Sequence, residues 1–279
     1  MTIFVNRRCF TGCASCSAGA SPTNTDELSI AWLQAFFQNV KDLTFPGYII
    51  WTGGEPFLSI DSLDAGLKLA SEAGYHSEIL TGGEWFATHP EYLNRLSGYR
   101  RLSLRISIDA EHQARVPVSQ LIDLIRDALT LNLEVNFTRR DIPGVDSIRL
   151  SFEAISRALP EFYLANYKRS RWIHSIPHIP FDNPLDKASE VSEISKIKST
   201  KSCPMAFRDL IIGEDGLIYP CCGLFRLPIG KRQQLALGDP LTDSWDTICA
   251  RQTHHAVSVW KEKNDCGLCN DWGMKGTKT

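Results

Sequence analysis

The stretch Cys9-Phe10-Thr11-Gly12-Cys13-Ala14-Ser15-Cys16 follows a short apolar run at residues 3–5 and places three cysteines within eight residues. A loop with this C-x3-C-x2-C spacing can turn three thiolates toward one side of a compact iron–sulfur cube. Because such a cube usually takes four cysteine ligands, three would leave one iron open to a substrate or cofactor. A zinc site with three thiolates is the alternative, although no paired C-x2-C or histidine lies close by.

The composition is that of an ordinary globular protein. The chain has 279 residues, of which 43% are hydrophobic and 22% charged, so it can bury one large core or two smaller ones. Its net charge of −2 shows none of the excess of basic residues that is typical of nucleic-acid-binding proteins. No membrane-length apolar run and no signal peptide is present, so we expect a cytoplasmic protein without a membrane partner. In that compartment, nine cysteines favour metal ligands or catalytic thiols over disulfides.

Short apolar runs alternate with stretches of helical periodicity through the first two thirds of the chain. The predicted strands are residues 3–5, 48–51, 77–80, 102–108, 133–137 and 172–176. The predicted helices are residues 28–40, 62–73, 90–96, 118–131 and 148–159. Strands separated by helices form parallel crossovers, so this order predicts an α/β fold with a partial (β/α)6 TIM-like barrel. Active sites of such barrels lie at the carboxyl ends of the strands, where the cysteine loop falls.

A second motif, Gly53-Gly54-Glu55-Pro56, follows the second predicted strand. Glycines let a backbone approach a ligand closely, and a backbone carbonyl or Glu55 can accept a hydrogen bond from an ammonium group. Alone, this tetrapeptide is also typical of an ordinary turn. Placed after the cysteine loop, it resembles the GGEP motif of the radical S-adenosylmethionine (SAM) superfamily, whose cysteine motif has the same C-x3-C-x2-C spacing.

This resemblance implies a cofactor set and its ligands. One [4Fe–4S] cluster would be held by Cys9, Cys13 and Cys16, and SAM would bind the open iron and be cleaved to a 5′-deoxyadenosyl radical. The residues implied to contact SAM are Gly53, Gly54, Glu55, Ser107, Asp109, Asn136 and Arg139. Solvated polar side chains at strand ends are the alternative for the last four. The chain departs from the family at Ser15, where an aromatic residue is often found, so adenine needs another surface, such as Phe10.

The last third of the chain has a different pattern. A polar linker at residues 182–202 leads to a predicted hairpin at residues 210–219 and a helix at residues 244–260. Four cysteines flank these elements and can close on one metal centre, for which zinc is an alternative: Cys203, Cys221, Cys266 and Cys269. The region resembles the twitch domain, a short relative of the SPASM domain, which implies a second, auxiliary [4Fe–4S] cluster. We expect a barrel domain over residues 1–181 and a twitch domain over residues 203–279.

Two cysteines, Cys222 and Cys249, remain without a predicted metal. A buried cysteine is often a small apolar filler. In a radical enzyme, however, a thiol can return a hydrogen atom to the face opposite the one from which hydrogen was taken, which inverts that carbon. Cys249 is the first candidate donor and Cys222 the second.

The full set of motifs resembles the radical SAM epimerases of aminoglycoside biosynthesis, which implies an aminoglycoside substrate inverted at C5 of its terminal amino sugar. Such an enzyme needs an electron donor such as flavodoxin or ferredoxin. Because an aminoglycoside is a polycation, we expect carboxylates to line its pocket. The alternatives are a twitch-type dehydrogenase of an amino sugar or aminocyclitol, and a non-catalytic zinc-binding scaffold.

Anaerobically purified protein should be brown, since iron–sulfur clusters absorb visible light and zinc thiolates do not. Replacing the N-terminal set (Cys9→Ala, Cys13→Ala, Cys16→Ala) should remove the iron of that cluster and leave the iron of the auxiliary one. Iron content and visible absorption, measured on both proteins, check this. A colourless wild-type protein that contains zinc would contradict the prediction.

Overall fold

The structure is a computed structural model that describes residues 1–13, 16, 18–41, 47–141, 147–167, 173–177 and 210–261. Eight strands form one sheet in the order β6-β5-β4-β3-β2-β1-β7-β8. The strands are β1 (Thr2–Asn6), β2 (Tyr48–Gly53), β3 (His76–Thr81), β4 (Leu102–Ile108), β5 (Glu134–Asp141), β6 (Ile173–Pro177), β7 (Ile211–Ile212) and β8 (Ile218–Tyr219). The helices are α1 (Ile30–Val40), α2 (Ile60–Glu72), α3 (Tyr92–Leu96), α4 (Ala110–Gln113), α5 (Val118–Thr130), α6 (Ser147–Ala158), α7 (Pro160–Tyr167), α8 (Ile229–Gln233) and α9 (Trp245–Lys261).

Every neighbouring pair from β6 to β7 is parallel, and only β7 and β8 are antiparallel. The predicted α/β class with a parallel sheet is therefore confirmed, while closure into a partial barrel stays a prediction. Because the parallel strands point the same way, their carboxyl ends share one edge of the sheet, where the cysteine loop leaves β1. The sequence pattern missed α7, whose apolar residues form no single stripe.

One face of the sheet is apolar and covered by helices. The backbone register aligns a row across five strands, all at most 2% exposed: Ile3, Trp51, Ile79, Leu104 and Val135. Helix α1 packs on this row through Leu33 and Phe36. Burial of these side chains is the main stabilising term of the fold, and it fixes which residues turn to the opposite face.

The C-terminal hairpin predicted at residues 210–219 is confirmed, and it extends the main sheet. Ile211 and Ile212 of β7 pair with the start of β1, so this hairpin lies beside the strand that carries the cysteine loop. The predicted helix over residues 244–260 is confirmed as α9. The linker predicted at residues 182–202 lies outside the described residues, and the domain boundary stays a prediction.

A buried ionic network holds the hairpin turn against the cysteine loop. Arg232, which is fully buried, donates to Glu214 at 2.8 Å and to Asp215 at 3.0 Å. Arg7 approaches the same Glu214 carboxylate at 3.7 Å. Its guanidinium donates to the Ala18, Gly19 and Phe225 carbonyls, which joins the cysteine loop to the segment after β8. Burial raises the pKa of Glu214, while Arg232 opposes that shift.

Among the helices that the structure describes, none combines the length and apolar character required to cross a membrane.

Gly66 of α2 tests how tightly the helix layer packs on the sheet. A Cβ at this position would lie 2.6 Å from the Trp51 ring, which is held in place by a hydrogen bond from its Nε1 to Ser77. Gly66→Ala should lower the free energy of unfolding by about 1 kcal/mol, because overpacking outweighs alanine's better helix propensity. Urea unfolding measures the change. Gly98→Ala, where a Cβ meets nothing within 4 Å, is the control, and an equal response of both variants would contradict the prediction.

Candidate active site

The cysteine loop begins where β1 ends and is held by backbone hydrogen bonds at both ends. Cys9 N donates to Ser21 O at 3.2 Å, and Cys16 N donates to Cys13 O at 3.1 Å. Gly12 has φ +64°, a left-handed conformation that glycine adopts without strain. All three predicted cluster ligands, Cys9, Cys13 and Cys16, are partly buried.

The three thiols lie close enough to influence one another electrostatically. Burial raises the pKa values of Cys9 and Cys13, and neighbouring acidic groups, including Cys16, raise them further. A bound metal reverses this situation, because it favours the thiolate and displaces the proton. Among the described residues, no three His, Cys, Asp or Glu side chains surround one point, as a single-ion site requires. An iron–sulfur cube makes a different demand, since each cysteine binds its own iron, and three thiols on one loop are the donor set that it takes.

The GGEP loop is hydrogen-bonded to the start of the cysteine loop, backbone to backbone. Gly54 N donates to Asn6 O at 2.9 Å, and Glu55 N donates to Arg8 O at 2.7 Å. A Cβ on Gly53 would lie 2.2 Å from Asn6 O, and one on Gly54 would lie 2.0 Å from Arg8 O. The two glycines are therefore required for the close approach of the two loops.

The side chain of Glu55 points into the protein and joins the ends of β2 and β3. Its carboxylate accepts from Thr81 Oγ1 and Gly82 N, each at 2.9 Å, and from Phe57 N at 3.3 Å. Thr81 Oγ1 itself accepts from Gly83 N and Trp85 Nε1, so its one proton is directed to Glu55. Burial raises the Glu55 pKa to about 7, against the effect of these hydrogen bonds. The structure thus gives this carboxylate a positioning role, and a direct contact with SAM stays a prediction.

Asp109 and His112 form a pair beside the cysteine loop. Asp109 Oδ1 accepts from His112 N at 3.0 Å, which caps α4, and it lies 2.9 Å from His112 Nδ1. The other ring nitrogen, Nε2, is 4.0 Å from Cys13 Sγ. Asp109 is among the site residues predicted from the sequence, whereas His112 is not. The signal was an N-cap aspartate followed three residues later by a histidine, a spacing that brings both side chains together.

The remaining predicted SAM contacts lie on β4 and β5. Ser107 is buried near the end of β4 and pairs with Thr138, which the sequence analysis missed. Thr138 Oγ1 is buried and has no hydrogen-bond partner among the described residues. Asn136 lies two residues before Thr138 on β5, and its Nδ2 donates to Glu78 at 3.4 Å. Arg139 pairs with Ile108, and its side chain lies outside the described residues.

The structure separates the C-terminal cysteines. Cys221 packs on an apolar cluster that also includes Phe4 and Cys16, close to the cysteine loop. Cys249 is exposed on α9, where the preceding residue, Ile248, is buried in the helix-side core. The described structure does not bring Cys249 to the cysteine loop. Three other predicted ligands of the auxiliary cluster lie outside the described residues: Cys203, Cys266 and Cys269. The side chain of Cys222 also lies outside them.

A cleft of about 440 Å³ lies next to the cysteine loop. Phe10, Glu84 and Tyr92 line it, together with the stacked pair Phe57 and Trp85, whose ring centroids are 3.8 Å apart. Phe10 is 45% exposed, so it offers the kind of aromatic surface expected to replace the one missing at Ser15.

No family model matches the chain. A protein of Bacillus subtilis (strain 168), described as putative peptide biosynthesis protein YydG, is 20% identical over 244 residues, which are 84% of this chain and 73% of that protein.

Several solved structures share the fold. Native anSMEcpe with bound AdoMet and Cp18Cys peptide has a TM-score of 0.64 at 13% identity, over 98% of this chain and 90% of that one. Streptococcus suis SuiB bound to precursor peptide SuiA has a TM-score of 0.60 at 13% identity, with 99% and 66% covered. BtrN in complex with AdoMet and 2-DOIA has a TM-score of 0.56 at 15% identity, with 99% and 90% covered. The chain therefore has the fold of radical SAM enzymes.

Stability should depend on pH through Glu55. The unfolded chain releases this proton near pH 4.5 and the folded protein near pH 7, so the free energy of unfolding should fall as pH rises through that window. Glu55→Gln should flatten this fall, and Glu72→Gln at an exposed position should not. Urea unfolding of the reduced apoprotein under anaerobic conditions measures the slope. Equal slopes in wild type and Glu55→Gln would contradict the prediction.

Proposed function

We propose that this protein is a radical SAM enzyme. The observation that carries the proposal is the backbone pairing of the C-x3-C-x2-C loop with the GGEP loop, at the edge where the parallel strands end. Cys9, Cys13 and Cys16 would hold a [4Fe–4S] cluster, and when reduced it would supply the electron that cleaves SAM. The AdoMet-bound structures of the same fold support this assignment.

The chain's own residues would prepare the site in three ways. Gly53 and Gly54 allow the backbone to approach the start of the cysteine loop, and they would leave room for the methionine end of SAM. The Glu55 carboxylate fixes the conformation of the GGEP loop through its hydrogen bonds to Phe57 N and Gly82 N. Asp109 orients His112 against Cys13, so that the imidazole shields that thiolate.

We further propose that the reaction is an epimerisation. Bound SAM would supply the radical that takes one hydrogen atom from a substrate carbon, and a cysteine thiol of this chain would return one to the opposite face. The cysteine would then need one electron and one proton to become a thiol again. Because the hydrogen taken by deoxyadenosine is not returned, one SAM would be consumed with each turnover. The electrons would come from a donor such as flavodoxin or ferredoxin. The electron that restores the thiol could pass through an auxiliary cluster in a twitch domain. Its ligands would be Cys203, Cys221, Cys266 and Cys269.

The thiol that returns the hydrogen atom is either Cys249 or Cys222. Cys249 is exposed on a helix that packs on the helix-covered face of the sheet. Cys222 directly follows Cys221, which packs with Phe4 and Cys16 next to the cysteine loop. This neighbourhood favours Cys222 over the donor first expected from the sequence.

Two substrate classes are candidates. The resemblance in sequence motifs supports the terminal amino sugar of an aminoglycoside, inverted as in the conversion of neomycin C to neomycin B, and the BtrN complex with 2-DOIA is in line with a small-molecule substrate. A peptide is the second candidate. It is supported by the description of YydG as a peptide biosynthesis protein and by the peptide complexes of anSMEcpe and SuiB. A dehydrogenase of the same scaffold is the alternative reaction.

Reconstituted enzyme, SAM and reductant should be incubated in deuterated water with neomycin C and, separately, with a pool of synthetic peptides. The inverted product should carry one deuterium, because a thiol exchanges its hydrogen with solvent. Mass spectrometry identifies the labelled product. Cys222→Ala should stop the inversion while SAM is still cleaved, and Cys249→Ala should leave it intact.

The reverse result would assign the donor to Cys249. A product that has lost two hydrogen atoms would replace the epimerase by the dehydrogenase. A wild-type protein that is fully loaded with cluster and cleaves no SAM would contradict the radical SAM proposal itself.

A further inference from the structure

On β3, β4 and β5, the face of the sheet opposite the helices includes polar side chains and a buried charge pair. Glu78, which is 1% exposed, forms an ion pair with Arg105 and accepts from Asn136 Nδ2 at 3.4 Å. Ser103, which pairs with Glu78 across the strands, is also buried, and its hydroxyl lies 3.4 Å from His76 Nε2. We call Glu78, Ser103, Arg105 and Asn136 the polar face.

The polar face presents hydrogen-bond donors to a ligand. The Glu78 carboxylate is buried, with Asn136 on Oε1 and Arg105 on Oε2. The Tyr48 side chain also hydrogen-bonds to Glu78 and to Arg105. The Arg105 side chain is 15% exposed and that of Glu78 only 1%, so Arg105 is the member of this ion pair that a ligand can reach. Glu134, the other carboxylate of this face, pairs with Ser103 at the amino end of β5 and is further from the cysteine loop.

The position of the polar face relates it to the candidate active site. Arg105 and Asn136 are aligned with each other, two residues before Ser107 and Thr138 at the carboxyl ends of β4 and β5. Two residues of a strand span about 7 Å. A ligand on Arg105 would therefore lie about 7 Å from the carboxyl ends of β4 and β5. Strand β3 separates it from the GGEP loop after β2, a distance that an extended peptide can span.

We propose that the polar face binds the substrate, and that this substrate is a peptide whose main-chain carbonyls or carboxylate accept hydrogen bonds from Arg105 and Asn136. This inference rests on the proposed function and selects between its two substrate classes. An aminoglycoside presents ammonium groups, which Arg105 repels and which find the nearby carboxylate already occupied. A peptide presents the acceptors that a guanidinium fork matches.

A purely structural role for the pair would also explain its burial, since a buried ion pair can hold strands together. The design therefore needs a variant that keeps the fold. Arg105→Gln alone leaves Glu78 buried and unpaired, whereas Glu78→Gln with Arg105→Gln removes both charges. Arg95→Gln, which breaks an exposed pair with Asp61, is the matched control. Thermal unfolding, cluster content and SAM binding should be the same in the double variant and the control.

Holoenzyme with SAM is used to select binders from a pool of synthetic peptides, and their affinity is then measured for each variant. We expect the double variant to bind the selected peptides about tenfold more weakly or worse, since a hydrogen bond to a charged group is lost. The Arg95→Gln control should bind as wild type does, and neomycin C should bind wild type more weakly than the selected peptides.

Equal peptide affinity in wild type and the double variant would overturn the inference, as would tighter binding of neomycin C or failure of wild type to select any peptide. Selected peptides that depend on Arg105 but gain no deuterium during turnover would uphold it. That last result would contradict only the epimerase reaction.

Discussion

The hydrogen bonds of the Glu55 carboxylate hold the candidate site together. This one side chain bonds the end of β3 and its own loop, while the Glu55 backbone pairs with the strand that enters the cysteine loop. Three chain segments far apart in sequence thus meet at one buried acid. A carboxylate in such a place must be nearly fully hydrogen-bonded, because burial of an unpaired polar group is costly. The position of the GGEP loop is therefore determined by the hydrogen bonds that Glu55 accepts from Thr81 and Gly82.

The two faces of the sheet differ in the side chains that they carry. The helix-covered face consists of fully buried apolar side chains and provides the stability of the fold. The opposite face includes an ion pair, an amide and hydroxyl groups, which add little to stability and are the groups proposed to bind the substrate. Because side chains alternate along each strand, the same residues that build the core also fix the register of the polar face.

Much of this arrangement is predictable from the sequence, and the exceptions have physical reasons. The cysteine and GGEP loops are expected to meet, since carboxyl ends of parallel strands share an edge. His112 is not predictable in the same way, because its place next to Cys13 depends on how the short α4 folds back. The pairing of β7 with β1 was also missed, since two-residue strands have no periodicity to detect. The inward turn of Glu55 depends on Thr81 and Gly82, which belong to another strand.

The contact between Arg7 and the Phe225 carbonyl spans 218 positions of the chain. During synthesis, β1 and the cysteine loop leave the ribosome about 200 residues before the hairpin that pairs with β1. Contacts this distant in sequence form late in folding. One side of the cysteine loop therefore stays uncovered until the hairpin has been synthesised, which leaves an interval in which the thiols are accessible from that side.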